Sequence, residues 1–224
     1  MKLSIIIPTL NEAEILGATL EGLKEQPAEI IVVDGGSTDA TVEVAHQYTP
    51  HVLISRKGRG FQQDTGARQS QGDTLVFLHA DTQLPPGYQH LIHQALSDAG
   101  VVFGSFYLSI HPSEPGLDLI ALMANLRSRL LRLPYGDQAL FVRRRAYFQA
   151  GGFQDWLIME DVALVRRLNR LGRFKMVHGF VQTSARRWKR EKLIFTTLRN
   201  WSLMIRYCLG ASPHTLARRY PNAR

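Results

Sequence analysis

The sequence contains one cysteine, Cys208, among 224 residues. A single thiol excludes an internal disulfide framework and a metal site built from several cysteines, and it fits a reducing compartment. No run of about 18 uncharged apolar residues occurs, so we expect no helix to span a bilayer. The opening stretch MKLSIIIPTLNE does not read as a signal peptide, because its apolar segment is short and breaks at Pro8. The sequence therefore predicts a cytoplasmic protein, either free or peripheral on the cytoplasmic face of the membrane.

Carboxylates are scarce relative to cations, with 19 Asp and Glu against 27 Lys and Arg and a net charge of +8. This balance favours anionic partners such as nucleotides, phosphates or an anionic membrane face. No nucleic-acid recognition motif or aromatic platform is readable, so nucleic acid is not an expected partner. The sequence also lacks the Walker pattern GxxxxGK[ST], and no GxGxxG follows its first strand. Those two absences count against a P-loop protein and a dinucleotide-binding domain.

The first hundred residues alternate short apolar runs with amphipathic stretches, which predicts an α/β fold with a mostly parallel sheet covered on both faces. The predicted strands are Leu3–Ile7, Glu29–Val33, His51–Ser55, Thr74–Leu78, Val101–Ile110 and Gln138–Val142. The predicted helices are Glu12–Glu25, Thr38–Gln47, Phe61–Ser70, Tyr88–Asp98, Leu117–Leu133, Glu160–Leu171 and Leu193–Leu209. With 45% hydrophobic residues, the chain has enough apolar surface for the core of one large domain.

Polar segments follow four of the predicted strands, where sheets of this kind bind ligands. PTLNE follows the first strand, DGGSTD the second, RKGRG the third and HAD the fourth. Asp34 could accept from a nucleobase N–H or a ribose hydroxyl, and the basic glycine-rich loop suits phosphate. Asp81 beside a phosphate site would hold a divalent cation. The alternatives are a capped loop with a solvated Asp34, a solvated basic loop, and a loop Asp81 beside a satisfied histidine.

Glu160 and Asp161 begin a predicted helix, where carboxylates suit the helix dipole. The alternative interpretation is a general base that takes a proton from a hydroxyl group. The C-terminal stretch ARRWKREKLIFTTLRNWSLMIRYCLG mixes cations with aromatic and apolar residues. Such a helix suits the surface of an anionic membrane, and packing on the domain or on a homodimer partner is the alternative.

Six segments, in this order along the chain, resemble the family 2 inverting glycosyltransferases with the GT-A fold. They are SIIIPTLNE at 4–12, IIVVDGGSTDAT at 30–41, GRGFQQDTGA at 58–67, GDTLVFLHADTQLPP at 72–86, GDQALFVRR at 136–144 and GGF…MED at 151–161. The GRG, HADT and GDQ segments further resemble a small bacterial branch described as radical-SAM/selenodomain-associated transferases. The resemblance implies a GT-A domain over 1–185, with a nucleotide-sugar half at 1–100 and an acceptor half at 101–185. A basic amphipathic helical extension would follow at 186–224.

The resemblance also implies a role for each matching residue. Asp81 would hold Mn²⁺ or Mg²⁺, with His79 standing where the family has the first acid of its DxD motif; an imidazole suits Mn²⁺ better. Asp161, beside Glu160, would act as the catalytic base, and Asp137 and Gln138 would line the acceptor pocket. The residues that would bind the nucleotide are Pro8, Thr9, Asn11, Glu12, Asp34, Gly35, Arg59 and Ala80.

The implied reaction is a metal-dependent, non-processive transfer of a sugar from a UDP- or GDP-sugar, with inversion, to an acceptor hydroxyl or phosphate. The acceptor would be a lipid or a small molecule. Ser184 replaces the Gln of the QxxRW motif of processive synthases, which counts against processivity. A catalytically silent nucleotide-sugar binder or membrane-docked scaffold is the alternative. A sugar nucleotidyltransferase would carry a Gly-rich basic loop where this chain has PTLNE, which counts against that class.

Overall fold

The computed structural model describes residues 1–186, 188 and 193–217. Of the predicted extension 186–224, residues 187, 189–192 and 218–224 lie outside the described ones. The strands are β1 Leu3–Thr9, β2 Glu29–Asp34, β3 Val52–Ile54, β4 Thr74–Phe77, β5 Thr82–Gln83, β6 Val101–His111, β7 Leu140–Arg143 and β8 Arg173–Ser184. The helices are α1 Ala13–Glu21, α2 Thr41–His46, α3 Arg59–Gln69, α4 Tyr88–Leu96, α5 Pro115–Leu131, α6 Arg144–Gln149, α7 Glu160–Leu168, α8 Leu193–Cys208 and α9 Pro213–Ala217. A 3₁₀ turn spans Gly136–Gln138.

Eight strands form one sheet in the order β3-β2-β1-β4-β7-β6-β8-β5. The strands β3, β2, β1 and β4 run parallel, as do β6 and β8. The strand β7 is antiparallel to both its neighbours, and β5 is antiparallel to β8. The predicted α/β fold with a mostly parallel sheet is confirmed.

The core lies on both faces of the sheet, because successive strand residues point to opposite sides. Ile5 and Ile7 of β1 pack in the larger cluster with residues of α1, α4 and α5. Ile6, between them, packs in the second cluster with residues of α3, α6 and α7. The run Ile5–Ile7 of β1 is therefore apolar throughout and does not alternate with polar residues, because both faces of this strand are buried.

Several predicted boundaries differ from the structure. The helix predicted from residue 38 begins at Thr41, because DGGSTD forms a hydrogen-bonded loop first. The strand predicted from residue 138 begins at Leu140, since Gly136–Gln138 forms a 3₁₀ turn. The strands β5 and β8 and the short helices α6 and α9 have no counterpart among the predicted elements.

Candidate active site

A cavity of about 690 Å³ opens at the carboxyl ends of β1 and β4. The start of α7, the end of β8 and one side of α8 complete its wall. Eleven residues singled out from the sequence line it: Pro8, Thr9, Asn11, Glu12, Arg59, His79, Ala80, Asp81, Asp137, Glu160 and Asp161. The prediction that polar residues from several strand ends meet at one edge of the sheet therefore holds for these residues.

Asp34 and Gly35 are the residues of the predicted nucleotide set that do not line this cavity. The Asp34 side chain is 1% exposed. Its carboxylate accepts hydrogen bonds from the hydroxyl of Thr9 at 3.0 Å and from the backbone N–H groups of Gly36 and Ser37 at 2.9 and 2.7 Å. These bonds order the loop after β2 beneath the cavity, so contact between Asp34 and a nucleobase would require that loop to rearrange.

The loops after β1 and β2 are joined by hydrogen bonds that orient the cavity rim. Asn11 adopts φ 54°, and its side-chain oxygen accepts from the backbone N–H of Thr38 at 2.8 Å. The backbone N–H groups of Asn11 and Glu12 donate to the hydroxyls of Ser37 and Thr41, each at 2.8 Å. Asn tolerates the left-handed conformation better than most residues do. The sharp turn at Asn11 thus places the Glu12 side chain at the cavity.

Gln62 is a site residue that the sequence reasoning missed. Its side-chain amide donates to the backbone oxygens of Thr9 and Val33 at 2.7 and 2.8 Å, at the ends of β1 and β2. It is buried and also lines the cavity. Its place in GRGFQQ, on the face of α3 turned to the sheet, is the signal that could have identified it.

Two carboxylates face a single guanidinium, that of Arg186, at the cavity. Nη2 of Arg186 lies 2.8 Å from Oε2 of Glu12 and 3.9 Å from Oδ2 of Asp81. Burial, and then the neighbouring Glu12 carboxylate, raise the pKa of Asp81, while Arg186 and Arg59 oppose that shift. Arg186 was not predicted, because the strand that places it, β8, was not recognised.

The residues here fit a divalent cation only with help from the substrate. Burial, and then the Glu12 charge, raise the pKa of Asp81, so a cation bound beside it would favour the ionised carboxylate. Among residues 1–186, 188 and 193–217, however, no group of three His, Cys, Asp or Glu side chains is placed to hold a metal ion. Mg²⁺ is commonly bound through one or two carboxylates plus substrate phosphates. Asp81, with His79 nearby on the same loop, suits that mode of binding.

Asp161 is held in place by two backbone donors. Its Oδ2 accepts from the N–H of Gly136 at 2.9 Å, and its Oδ1 accepts from the N–H of Val162 at 2.7 Å. A Cβ atom added to Gly136 would lie 2.9 Å from Nε2 of His79 and 3.7 Å from Oδ2 of Asp161. A larger residue at position 136 would therefore force the imidazole of His79 to shift, while its contact with Asp161 would be an ordinary one. Gly136 was missed as a site residue, although it begins the GDQ segment.

Glu160 lies behind Asp161 and is only 4% exposed. Burial, and then the charge of Asp161, raise the pKa of Glu160 to about 7, although Nη1 of Arg59 lies 3.7 Å away. The two adjacent acids thus differ in environment. Both line the cavity, and the raised pKa of Glu160 favours its protonated form below about pH 7.

Gln138, predicted to line the acceptor pocket, does not line the cavity. It is 0% exposed, and its side-chain oxygen accepts from the hydroxyl of Ser128 at 2.5 Å and from Arg127 at 3.3 Å. Its amide nitrogen donates to the backbone oxygen of Phe106 at 3.3 Å. Gln138 therefore fixes the 3₁₀ turn from beneath, and Asp137 is the member of the predicted acceptor pair that lines the cavity.

The C-terminal helix α8 is part of the cavity wall. Asn200, Leu203 and Met204 line the cavity, and Trp188 lies beside them. Leu203 is buried against Ile158 and against α9. Of the alternatives left open for this helix, packing on its own domain holds for these residues. Within the described ranges, no helix combines the length and the apolar character of a bilayer span.

The family model described as Glycosyl transferase family 2 matches residues 4–153. The chain belongs to this family, and its fold is that of the GT-A glycosyltransferases. A PGL/p-HBAD biosynthesis glycosyltransferase of Mycobacterium tuberculosis is 38% identical over 91 residues, covering 36% of each chain. The undecaprenyl-phosphate 4-deoxy-4-formamido-L-arabinose transferase of Yersinia enterocolitica is 36% identical over 99 residues, covering 38% of this chain and 30% of that one. The matches thus span about a third of these relatives.

Solved structures share the fold at low identity. S. aureus TarS 1–349 superposes with a TM-score of 0.66 at 17% identity, over 83% of this chain and 61% of that one. The mannosyltransferase PcManGT of Pyrobaculum calidifontis, in complex with GDP-Man and Mn²⁺, gives a TM-score of 0.61 at 21% identity, over 80% and 56% of the two chains. The narrower radical-SAM branch stays a prediction.

Proposed function

We propose that this chain transfers a sugar, with inversion, from a nucleotide-diphosphate sugar to an acceptor hydroxyl or phosphate. One observation carries the proposal. A cavity-facing carboxylate, Asp161, and an acidic pair, Glu12 and Asp81, share one cavity at the carboxyl ends of β1 and β4. The site thus offers a proton acceptor and a place for a metal-bound diphosphate together, as a single in-line displacement requires.

The donor would lie across the ends of β1 and β4. Asp81, with His79, would hold Mn²⁺ or Mg²⁺; the metal, when bound, neutralises the diphosphate as it leaves. Arg59 and Arg186 add positive charge at the same wall of the cavity. Support for the metal comes from the carboxylate chemistry and from PcManGT, whose structure holds GDP-Man and Mn²⁺. A uridine or guanosine donor is consistent with this family of folds.

Asp161 would take the proton of the acceptor hydroxyl. The N–H groups of Gly136 and Val162 fix its two oxygens, so the carboxylate is oriented before the substrate arrives. Glu160 would not compete with it as a base below about neutral pH, since its raised pKa keeps it protonated. A phosphate acceptor would attack as an anion and need no base, so dependence on Asp161 distinguishes the two acceptor types.

One wall of the cavity, formed by α8 and the segment before α7, carries several apolar side chains. We assign the acceptor to this wall, which favours an acceptor with an apolar part. Leu157, Ile158, Leu203, Met204 and Trp188 lie on this wall. The Yersinia relative is named for transfer to undecaprenyl phosphate. A lipid or another acceptor with an apolar group, met at the cytoplasmic face of the membrane, fits these observations.

The experiment is a panel of nucleotide sugars, measured by thermal shift and by transfer or hydrolysis, with and without Mn²⁺. A ligand at one hundred times its Kd adds about 2.7 kcal/mol of stability. We expect Asp81→Asn to lose the metal-dependent part of the stabilisation. We expect Asp161→Asn to keep it and to lose about 10²- to 10⁴-fold in rate with a hydroxyl acceptor.

Glu43→Gln, an exposed acid on α2, is the matched control and should change neither quantity. Donor binding with no turnover for any hydroxyl or phosphate acceptor would favour the silent binder instead. A folded protein that no nucleotide sugar stabilises, with or without Mn²⁺, would refute the donor site.

A further inference from the structure

The outer face of α5 is apolar and open to solvent. The inner face is buried through Leu117, Ala121 and Ala124. The exposed side chains recur at helical spacing, and they reach 67% exposure at Leu130 and Leu131. They are Leu119, Leu122, Met123, Leu126, Leu130 and Leu131. A contiguous apolar face of this kind marks an interaction site.

A basic, aromatic pocket lies at the C-terminal end of this helix. Its volume is about 300 Å³. Four of its residues carry or can carry positive charge, Arg129, Arg132, Lys175 and His178, and no carboxylate is among the described residues that line it. Tyr107 completes it, stacked on His178 with ring centroids 6.0 Å apart. Such a cluster fits a phosphate group.

The pocket and the apolar face form one surface. Arg129 lies three residues after Leu126, and so on the same side of α5. Phe180, 57% exposed, extends the surface along β8, with its ring 5.4 Å from that of Tyr107. We propose that α5 and the outer side of β6 and β8 dock on an anionic lipid bilayer, with the pocket taking a lipid phosphate.

Composition favours a bilayer as the occupant of this surface. Apolar side chains beside Arg and Lys, with aromatic rings between them, are typical of protein surfaces at the headgroup boundary. A symmetric dimer would place the same patch of both copies in one interface. It would then bury these cations from each chain, with no carboxylate in the pocket lining to pair them.

The docking surface lies next to the catalytic cavity. The guanidinium of Arg127, on α5, lies 3.3 Å from the ring centroid of Tyr135, and Tyr135 lines that cavity. A membrane-borne acceptor would therefore enter from the docked side. Only this last step rests on the proposed function, because docking itself needs neither donor nor metal.

The test is co-sedimentation of the full chain with vesicles of phosphatidylcholine alone and of phosphatidylcholine with phosphatidylglycerol. We expect binding to the anionic vesicles only. Each cation near a membrane surface contributes about fivefold in affinity, so Arg129→Gln/Arg132→Gln should bind about 25-fold more weakly. Leu126→Gln/Leu130→Gln should lose binding as well, and circular dichroism checks that both variants fold.

Two matched controls complete the design. Lys2→Gln/Arg145→Gln removes two exposed cations elsewhere, and Ile205→Gln/Leu209→Gln removes two exposed apolar side chains of the α8 region. Both should bind like the unmodified chain. Loss of binding in the α8 variant but not in the α5 variant would overturn the proposal.

Two further outcomes would also overturn it. One is a dimer that Leu126→Gln/Leu130→Gln converts to monomer in analytical ultracentrifugation while vesicle binding is unchanged. The other is a pocket that binds inorganic phosphate while Arg129→Gln/Arg132→Gln leaves vesicle binding unchanged. Transfer assays on soluble acceptors report separately on the proposed function, so failure of one proposal does not imply failure of the other.

Discussion

Replacing Glu160 with glutamine should change how the stability of this protein depends on pH. Glu160 begins α7 almost without solvent contact, and Asp161 is the next residue. Burial, and then the Asp161 charge, raise its pKa from 4.5 to about 7. Folding therefore favours the protonated acid, and the ionised form is the one that destabilises the native state.

The sign follows from where protons are bound. Between pH 4.5 and about 7 the folded chain holds a proton on Glu160 that the unfolded chain has lost. Stability must then fall as pH rises through this range and level off above it. A difference of about 2.5 pKa units, at 1.36 kcal/mol each, costs about 3 kcal/mol by pH 8. Glu160→Gln removes this cost, so the variant should gain about 3 kcal/mol relative to the unmodified chain between pH 4.5 and pH 8.

Urea unfolding from pH 4.5 to pH 8 measures the difference in unfolding free energy at each pH. Glu43→Gln, an exposed acid on another helix, serves as the control and should show no pH-dependent difference. The reasoning fails if the Glu160→Gln difference is the same at both ends of the range, or if it grows as pH falls. Either result would mean that the buried acid is already ionised at acidic pH.

Two glycines give further predictions. Gly66→Ala should destabilise the fold by about 1–3 kcal/mol in urea unfolding, because the added methyl would meet Cγ2 of Ile6 at 2.5 Å where α3 packs on β1; an unchanged midpoint would contradict this. Gly136→Ala should lower the metal-dependent part of the donor-induced thermal stabilisation together with kcat, because its methyl would meet Nε2 of His79, a proposed metal ligand, at 2.9 Å; an unchanged metal-dependent stabilisation would contradict this.

The first half of the fold was predictable because its strands are short apolar runs, each ending in polar residues. The later half was harder because its patterns are interrupted. The strand β8 escaped prediction since its register with β6 shifts between Phe106 and Tyr107, which breaks the alternation of buried and exposed residues. Without β8, nothing placed Arg186 at the cavity.

Burial explains why some predicted site residues lie elsewhere. Gln138 follows the cavity residue Asp137 directly, and Asp34 ends a strand as the cavity segments do, so sequence position alone could not separate them from cavity residues. Asp34 satisfies its carboxylate within its own loop, and Gln138 bonds to α5, which lies earlier in the chain. The position of Gln138 thus depends on a contact between two elements that the sequence does not mark as neighbours, and that of Asp34 on the conformation of its own loop.

Because α8 lines the cavity, the cavity wall is built from two separate stretches of the chain. The family match ends at residue 153, and it includes the loops after β1 and β4 that line the cavity. The opposite wall, with Asn200, Leu203 and Met204, comes from one helix about fifty residues further along. Side chains on that helix can vary in size and polarity without disturbing the strands that shape the donor loops. Under the proposed function, the choice of acceptor could then change between related chains while donor binding stays the same.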